Sequence, residues 1–403
     1  MNIAVILEQG IKEGGGFQQA LSTIFLLNKY KSPKYNFIFF TAIEENIAAL
    51  KKSGIEAHSL KLPYIAKIIA HFRRNILIYH MIRKSGFFRF NKFDKVLRPY
   101  DIDLIYFLSP SGLSLETEKY NYIFTVWDLC HRDYVEFPEV REFREFEGRE
   151  RLFNAALPKA VKVIADSELG KKNIIRRYNI DEQRVVVLPF LPSYGIDIAA
   201  CDYQKNYIDV KVKYSINGDY IYYPAQFWSH KNHIYILEGL KVLKGKYNIK
   251  INAVFSGSDK GNLEFVLKRA EDFGLNDQIY YIGFVSSEEI PYLYRQALAL
   301  VMPTYFGPTN IPPLEAFKLE CPVLYPDLPG LREQVKDSAL LMDLTDPESL
   351  AQNLIKVIEK DKEIGNLVKN GKRKIEDLRE EAYWLVFQGI FDDYAGKLKC
   401  WKE

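Results

Sequence analysis

Two stretches of this 403-residue chain combine residue types suited to holding an anionic ligand. The first, Gln226-Phe-Trp-Ser-His-Lys-Asn-His, follows an apolar run and leads into a helical pattern. Lys231 therefore stands at a loop end, where its ammonium can meet a pyrophosphate as a point charge. The plainer reading of Lys231 is a mobile surface lysine, and His230 and His233 fit a helix start better than a metal site. The second stretch runs Pro303-Thr-Tyr-Phe-Gly-Pro-Thr-Asn-Ile-Pro-Pro-Leu-Glu. Pro312 and Pro313 suit the first turn of a helix, where a missing N–H costs nothing. Glu315 is expected in that first turn. Free N–H groups at such a terminus bind anions. A carboxylate there either complements the helix dipole or accepts two hydrogen bonds from a ribose diol.

Three further sites carry candidate chemistry. Gly14-Gly15-Gly16 sits between a β-rich run, Asn2 to Leu7, and a helical pattern starting at Phe17. Strand, glycine loop and helix open a Rossmann-like unit, and the glycines let backbone approach a phosphate; a flexible surface loop is the bland alternative. The spacing is not that of a dinucleotide fingerprint. Trp127-Asp128-Leu-Cys-His131 lies just past the strand Tyr122–Val126, at the strand end where a doubly wound sheet gathers ligands. Asp128 and His131 are candidates for contact with a sugar or an acceptor hydroxyl, with a structural role the alternative for His131. Asp101 and Asp103 invite a metal reading, but they precede their strand and so stand at the wrong end of the sheet.

These residues need strand ends to hold them. Strand and helix patterns alternate twice along the chain, as expected of two parallel α/β domains. Ser193 to Gly218 lacks periodicity and serves as the linker. The expected domains are 1–195, joined by the C-terminal run 383–403, and 205–380. Ser286 and Glu289 read as a capping box ahead of Ile290. Composition bounds the rest. A net charge of +3 with 55 basic and 52 acidic residues excludes a polyelectrolyte and gives no reason to expect nucleic acid. Cys130, Cys201, Cys321 and Cys400 have no metal-ligand spacing, and four are too few for a disulfide scaffold. They read as reduced thiols of a cytoplasmic protein. The start, MNIAVILEQG, is not a signal peptide, and no run reaches the roughly 20 apolar residues of a spanning helix. Between Tyr64 and Arg98 a basic amphipathic stretch with Phe87, Phe88, Phe90 and Phe93 suits an anionic membrane surface, or else is a core-packed helix with a solvated basic face.

The stretches Tyr222–Asn232 and Pro303–Asp343 resemble the GT4-type retaining glycosyltransferases of the GT-B fold. The resemblance implies two Rossmann-like doubly wound domains facing a central cleft, with the C-terminal helix packing back on the first. It implies a nucleotide-diphosphate sugar as donor substrate, no separate cofactor and no metal. Glu315 matches the family glutamate that holds the ribose, and Lys231 the family lysine at the diphosphate. Gln226 stands where the family has arginine, and Gly307 where it has a second glutamate near the donor sugar. The loop through Thr309, Asn310 and Ile311 would then serve through backbone N–H groups and the Asn310 amide. Gly283 would lie beside the base, and Gly15 and Gly16 would face the same cleft. Trp127 replaces a family histidine. The implied reaction is hexosyl transfer to a glycan or lipid-linked acceptor in surface polysaccharide assembly, at the inner face of a membrane. A sugar-nucleotide epimerase and a catalytically silent nucleotide-sugar-binding subunit are the alternatives; a nicotinamide dehydrogenase lacks its glycine fingerprint.

Overall fold

The computed structural model describes residues 1–11, 14–60, 92–196, 207–307 and 309–402. Its central strands are apolar runs buried on both faces, the condition for an all-parallel sheet, and its edge strands are short and partly exposed. In the first sheet these are β1 (Asn2–Leu7), β2 (Asn36–Thr41), β3 (Ala57–Ser59), β4 (Leu104–Phe107), β5 (Asn121–Val126), β6 (Lys162–Ala165) and β7 (Val185–Val187). They lie in the order β3-β2-β1-β4-β5-β6-β7, every pair parallel. The second sheet takes β8 (Tyr220–Pro224), β9 (Asn252–Ser256), β10 (Ile279–Tyr281), β11 (Leu300–Val301), β12 (Val323–Pro326) and β13 (Leu340–Met342). Its order, β10-β9-β8-β11-β12-β13, is again parallel throughout. Each sheet therefore reverses its strand order once, between β1 and β4 and between β8 and β11. Loops that leave the carboxyl ends on either side of such a reversal frame a crevice, where ligands of doubly wound sheets bind. β11 is shorter than the apolar run Ala297–Met302 suggests, yet the ladder extends beyond it. The Leu298 N–H reaches the Tyr220 carbonyl at 2.8 Å and the Met302 N–H the Leu324 carbonyl at 3.1 Å.

The chain divides into two compact units. The first holds Met1–Leu129, Phe146–Leu188 and Glu380–Glu403, and the second Cys130–Glu145 and Pro189–Arg379. The sequence reading ran the first domain unbroken to 195. The structure groups Cys130–Glu145 with the second unit, because that segment bonds and packs there, as described below. In the first unit the C-terminal helix Glu380–Leu398 lies on the helix Gly15–Lys29 and on the amino end of β2 around Tyr35 and Phe37. Trp384 stacks on Tyr30 at 4.9 Å, and Phe391 meets Phe37 at 5.7 Å. The Tyr394 hydroxyl donates to the Asp103 carbonyl at 2.9 Å. Lys402 then bonds Asp103 at 2.7 Å and Asp101 at 3.0 Å. Those aspartates tie down the chain terminus at the amino end of β4.

The expected capping box does not form. The Glu289 carboxylate is taken by Lys213 and by the Tyr214 hydroxyl instead, and the helix Ile290–Gln296 starts without a side-chain cap. Most of the basic stretch 64–98 lies outside the described residues. Of its end, Phe93 and Leu97 are buried in the core of the first unit. Among the described residues no helix is long and apolar enough to cross a membrane.

One packing contact positions the second crevice. The helix Lys362–Glu376 lies on the helix Ile311–Lys318, and a Cβ at Gly371 would sit 2.5 Å from the Phe317 ring, so only glycine allows that approach. Lys374 on the same helix donates to the Gln334 carbonyl. Burial first, and then the charge of Lys336, pulls its pKa down from 10.5 to about 8. A lysine depressed on folding costs stability while it is charged in both states. That cost fades as pH rises from about 8 toward 10.5, where only the unfolded chain still binds the proton. Lys374→Met should therefore flatten the alkaline rise in stability relative to wild type. Urea midpoints across that pH range measure the difference.

Candidate functional site

In the second unit the loops leaving β8, β9 and β10 are fused by backbone contact. A Cβ on Gly257, just past β9, would lie 2.4 Å from the Ala225 carbonyl oxygen, and its φ of +139° is one that side chains rarely adopt. Glycine is required there on both counts. Its N–H donates to the Gly283 carbonyl at 2.8 Å. The Phe227 N–H extends the β8–β9 ladder to the Ser258 carbonyl at 3.1 Å. Gln226 is held at both ends of its amide: Nε2 donates to Ser258 Oγ at 3.1 Å, and Oε1 accepts from Trp228 Nε1 at 3.1 Å. It is thus a loop brace as well as a neutral residue. Lys260 lies over the Trp228 ring, 5.6 Å from its centroid.

Lys231 ends a single turn, Ser229–Lys231, before Asn232 takes a left-handed φ of +54° and starts the helix His233–Tyr247. The Tyr223 hydroxyl fixes the Lys231 carbonyl at 2.9 Å, so the lysine backbone is rigid while its side chain is half-buried at the crevice rim. His233 is fully buried and stacked on Phe227 at 4.2 Å. Burial, aided by the nearby Lys231 charge, lowers its pKa to about 3, so it is a neutral packing residue.

The loop after β11 is tied to this one. The Tyr305 N–H donates to the His230 carbonyl at 2.9 Å. His230 in turn offers both its N–H, at 2.9 Å, and its ring Nδ1 to the Glu139 carboxylate, and stacks on Phe306 at 3.8 Å. Burial pushes the Glu139 carboxyl up, but the His230 bonds outweigh it and hold the group below its ordinary value. Tyr134 and Phe137 pack on Tyr305 and Phe306. The segment Cys130–Glu145 is thereby built into the second unit's loops.

The helix beyond the loop begins at Ile311, so Glu315 sits one turn further in than expected. It is also 6% exposed, with both carboxylate oxygens engaged, one by Ser193 Oγ and the other by the Tyr294 hydroxyl at 2.9 Å. Burial raises its pKa, and those two hydroxyls oppose the rise. The Asn310 N–H, expected to face an anion, instead donates to Gln334 Oε1 at 3.0 Å. Its amide Nδ2 donates to the Gly307 carbonyl at 2.7 Å and the Tyr325 hydroxyl at 2.6 Å. Pro312 and Pro313 have no N–H to give. That leaves the Ile311 N–H, which has no acceptor among the described residues.

The first unit contributes less at its glycine loop than its residue types suggest. A Cβ on Gly16 would meet Trp127 Cη2 at 2.7 Å, so the indole already occupies the space that glycine vacates. Trp127 is fixed there by Nε1 donating to Gln19 Oε1 at 3.3 Å. Gly15 is the first residue of the helix Gly15–Lys29. Asp128 is ion-paired with Arg149, whose Nη2 also donates to the Asp128 carbonyl at 3.0 Å. His131, on the other unit, is fully buried in the short helix Cys130–Asp133. Gly283 takes a φ of +72° at the turn after β10.

Sequence reasoning missed the residues that hold the site. Gln334, Tyr325, Tyr294, Ser193 and Glu139 are distant in sequence from what they orient, and no motif marks them. Only the His-Lys-Asn-His run hinted that His230 would need a partner.

The family model described as glycosyl transferases group 1 matches residues 209–374. The O-antigen chain mannosyltransferase B of Escherichia coli is 25% identical over 229 residues, 56% of this chain and 58% of that protein. The O-antigen chain mannosyltransferase RfbU of Salmonella typhimurium is 26% identical over 211 residues, 52% and 54%. The matched region thus spans a little over half the length of these relatives. The crystal structure of Anabaena Alr3699/HepE in complex with UDP-glucose superposes with a TM-score of 0.71, covering 99% of this chain and 100% of that one at 15% identity. At that identity the likeness is one of fold: the two parallel α/β units are those of the GT-B class.

Gly257 is the point where a small change should be felt throughout this loop cluster. Gly257→Ala forces the β8 and β9 loops apart and should lower stability by about 2 kcal/mol or more. Chemical denaturation measures the loss, which should exceed that of Gly261→Ala, where the φ is +97° but nothing lies within 4 Å.

Proposed function

We propose a sugar-transfer reaction for this chain from one premise: residues 209–374 of its second unit match the family described as glycosyl transferases group 1. The observation that carries the proposal is the pairing of two loops at the β8/β11 reversal, one ending in Lys231 and the other opening the helix Ile311–Lys318. Both fall inside the matched region. A nucleotide-diphosphate sugar is the donor. Lys231 and the Ile311 N–H take its diphosphate, and Gly283 borders the base. Glu315 takes a ribose hydroxyl in place of the Ser193 hydroxyl it now holds. Gln226 shapes the Lys231 loop instead of adding charge to it. Gly15, Gly16 and Asp128, on the first unit, belong to the acceptor side, and the buried His131 supports the loop that follows β5.

No side chain in the second crevice is an obvious nucleophile. In the proposed retaining reaction the bond from the sugar's anomeric carbon to the diphosphate oxygen breaks. The acceptor hydroxyl oxygen bonds that carbon on the same face, and its proton passes to the leaving phosphate oxygen. Lys231 and the helix start stabilise the charge that develops on the diphosphate, without a metal, and positioning supplies most of the rest. That two of the relatives are O-antigen chain mannosyltransferases supports mannose as the transferred sugar, and the acceptor in this reading is a glycan or lipid-linked glycan of surface polysaccharide assembly. Such an acceptor would bring the chain to the cytoplasmic face of a membrane.

Lys231→Ala tests the assignment. Transfer from GDP-mannose or UDP-glucose to a lipid-linked glycan should fall by roughly 100-fold in kcat/KM, while the melting temperature stays near that of wild type. Mass spectrometry of the acceptor reads the product. Unchanged transfer by the variant would refute the role of Lys231, and a changed sugar nucleotide released without acceptor would replace transfer with epimerisation.

A further inference from the structure

Glu139 reaches the lysine loop from far away in the chain. It lies in the connection between β5 and β6, strands of the first sheet, yet the segment Cys130–Glu145 is grouped with the second unit. There its carboxylate meets the single turn Ser229–Lys231. So short a turn closes few hydrogen bonds of its own and needs partners outside itself. Those partners come from elsewhere in the second unit. The Lys231 carbonyl accepts from the Tyr223 hydroxyl at 2.9 Å. The His230 carbonyl accepts from the Tyr305 N–H at 2.9 Å. The His230 N–H donates to Glu139 Oε1 at 2.9 Å.

The same oxygen takes the His230 ring. Burial opposes ionisation of Glu139, but the His230 bonds hold its carboxyl below the ordinary value, so near neutral pH it is a carboxylate and can only accept. Nδ1 of the ring therefore carries the hydrogen. One oxygen thus fixes both the backbone and the ring of the residue before Lys231. The ring is stacked on Phe306 at 3.8 Å, in the loop that leads to the helix Ile311–Lys318. The Glu139 side chain is 9% exposed and that of His230 10%, so removing the carboxylate would leave two buried donors unpaired. We infer that Glu139 is a positioning residue for Lys231: through His230 it sets the turn from which the ammonium meets a nucleotide's diphosphate, and it does so by the reach of Oε1, not by its charge. The inference rests on the donor reading above. Reach decides because both bonds end on one oxygen, which an amide can place equally well. A negative charge one residue from that lysine would by itself oppose an anion.

Titration calorimetry on the full chain with GDP and UDP as probes tests this, in single variants and in a cycle with Lys231→Ala. Glu139→Asp keeps the charge and draws the carboxylate back by one methylene. It should weaken the nucleoside diphosphate that wild type binds by about 10-fold. Glu139→Gln keeps an oxygen at the Oε1 position and should stay within about threefold of wild type. In the Lys231→Ala background Glu139→Asp should cost no more than about twofold further, because the group it acts through is gone. A general loosening of the fold would weaken binding in both backgrounds. Equal losses in both backgrounds, no loss for Glu139→Asp, or a larger loss for Glu139→Gln than for Glu139→Asp would overturn the role of Glu139. The donor reading would still stand, provided that Lys231→Ala itself weakens binding. Should Glu139→Asp fail to fold, Glu139→Gln decides alone, since a loss of about 10-fold there would place the effect in the charge. Wild type that binds neither probe, or Lys231→Ala that binds as wild type does, would overturn the donor reading and the inference with it.

Discussion

The carbonyl of His230 is the point on which the second crevice depends. It accepts the Tyr305 N–H and so joins the loop after β8 to the loop after β11 across the reversal of the sheet. The residue's N–H and ring hold Glu139 at the same time. A parallel sheet leaves its carboxyl-end loops without ladder partners, and such loops would otherwise move independently. Here a single half-turn supplies the cross-link, and Lys231 is its next residue. The ammonium group is thus anchored at its backbone by contacts made for other reasons.

The rest of the crevice follows the same plan of orienting polar groups through buried partners. Gln334 brackets the Asn310 backbone, Tyr325 joins the two side chains, and Lys374 fixes Gln334 from the far side. Such networks are costly when incomplete and rigid when complete. Glu315 shows the cost. Its buried carboxyl has a raised pKa even with two hydroxyl donors, so a ligand hydroxyl that replaced Ser193 would enter a site already arranged for it.

Much of the fold was legible in the sequence, and so was part of the site. Both sheets follow from short apolar runs alternating with helical patterns. The reversal that makes each crevice follows from the rules for parallel α/β connections. Ser167 reads as an N-cap and is one, its hydroxyl accepting the Gly170 N–H at 3.0 Å. Ser286 and Glu289 read as a capping box with equal right, yet Glu289 is drawn away by Lys213 and Tyr214. Gly16 fits a phosphate loop by type, but its missing side chain makes room for Trp127.

What the amino-acid sequence determined by itself is everything set by local periodicity and by backbone chemistry: which segments are strands, that a helix follows the loop of the signature stretch, and that Pro312 and Pro313 withhold their N–H groups. What the tertiary structure alone decided is which polar groups remain free for a ligand. The Asn310 N–H and the Glu315 oxygens are eligible by residue type, and they are engaged by Gln334, Tyr294 and Ser193, partners between 21 and 122 residues away. A hydrogen-bonding group has a fixed number of sites, and distant residues occupy them only once the chain has folded.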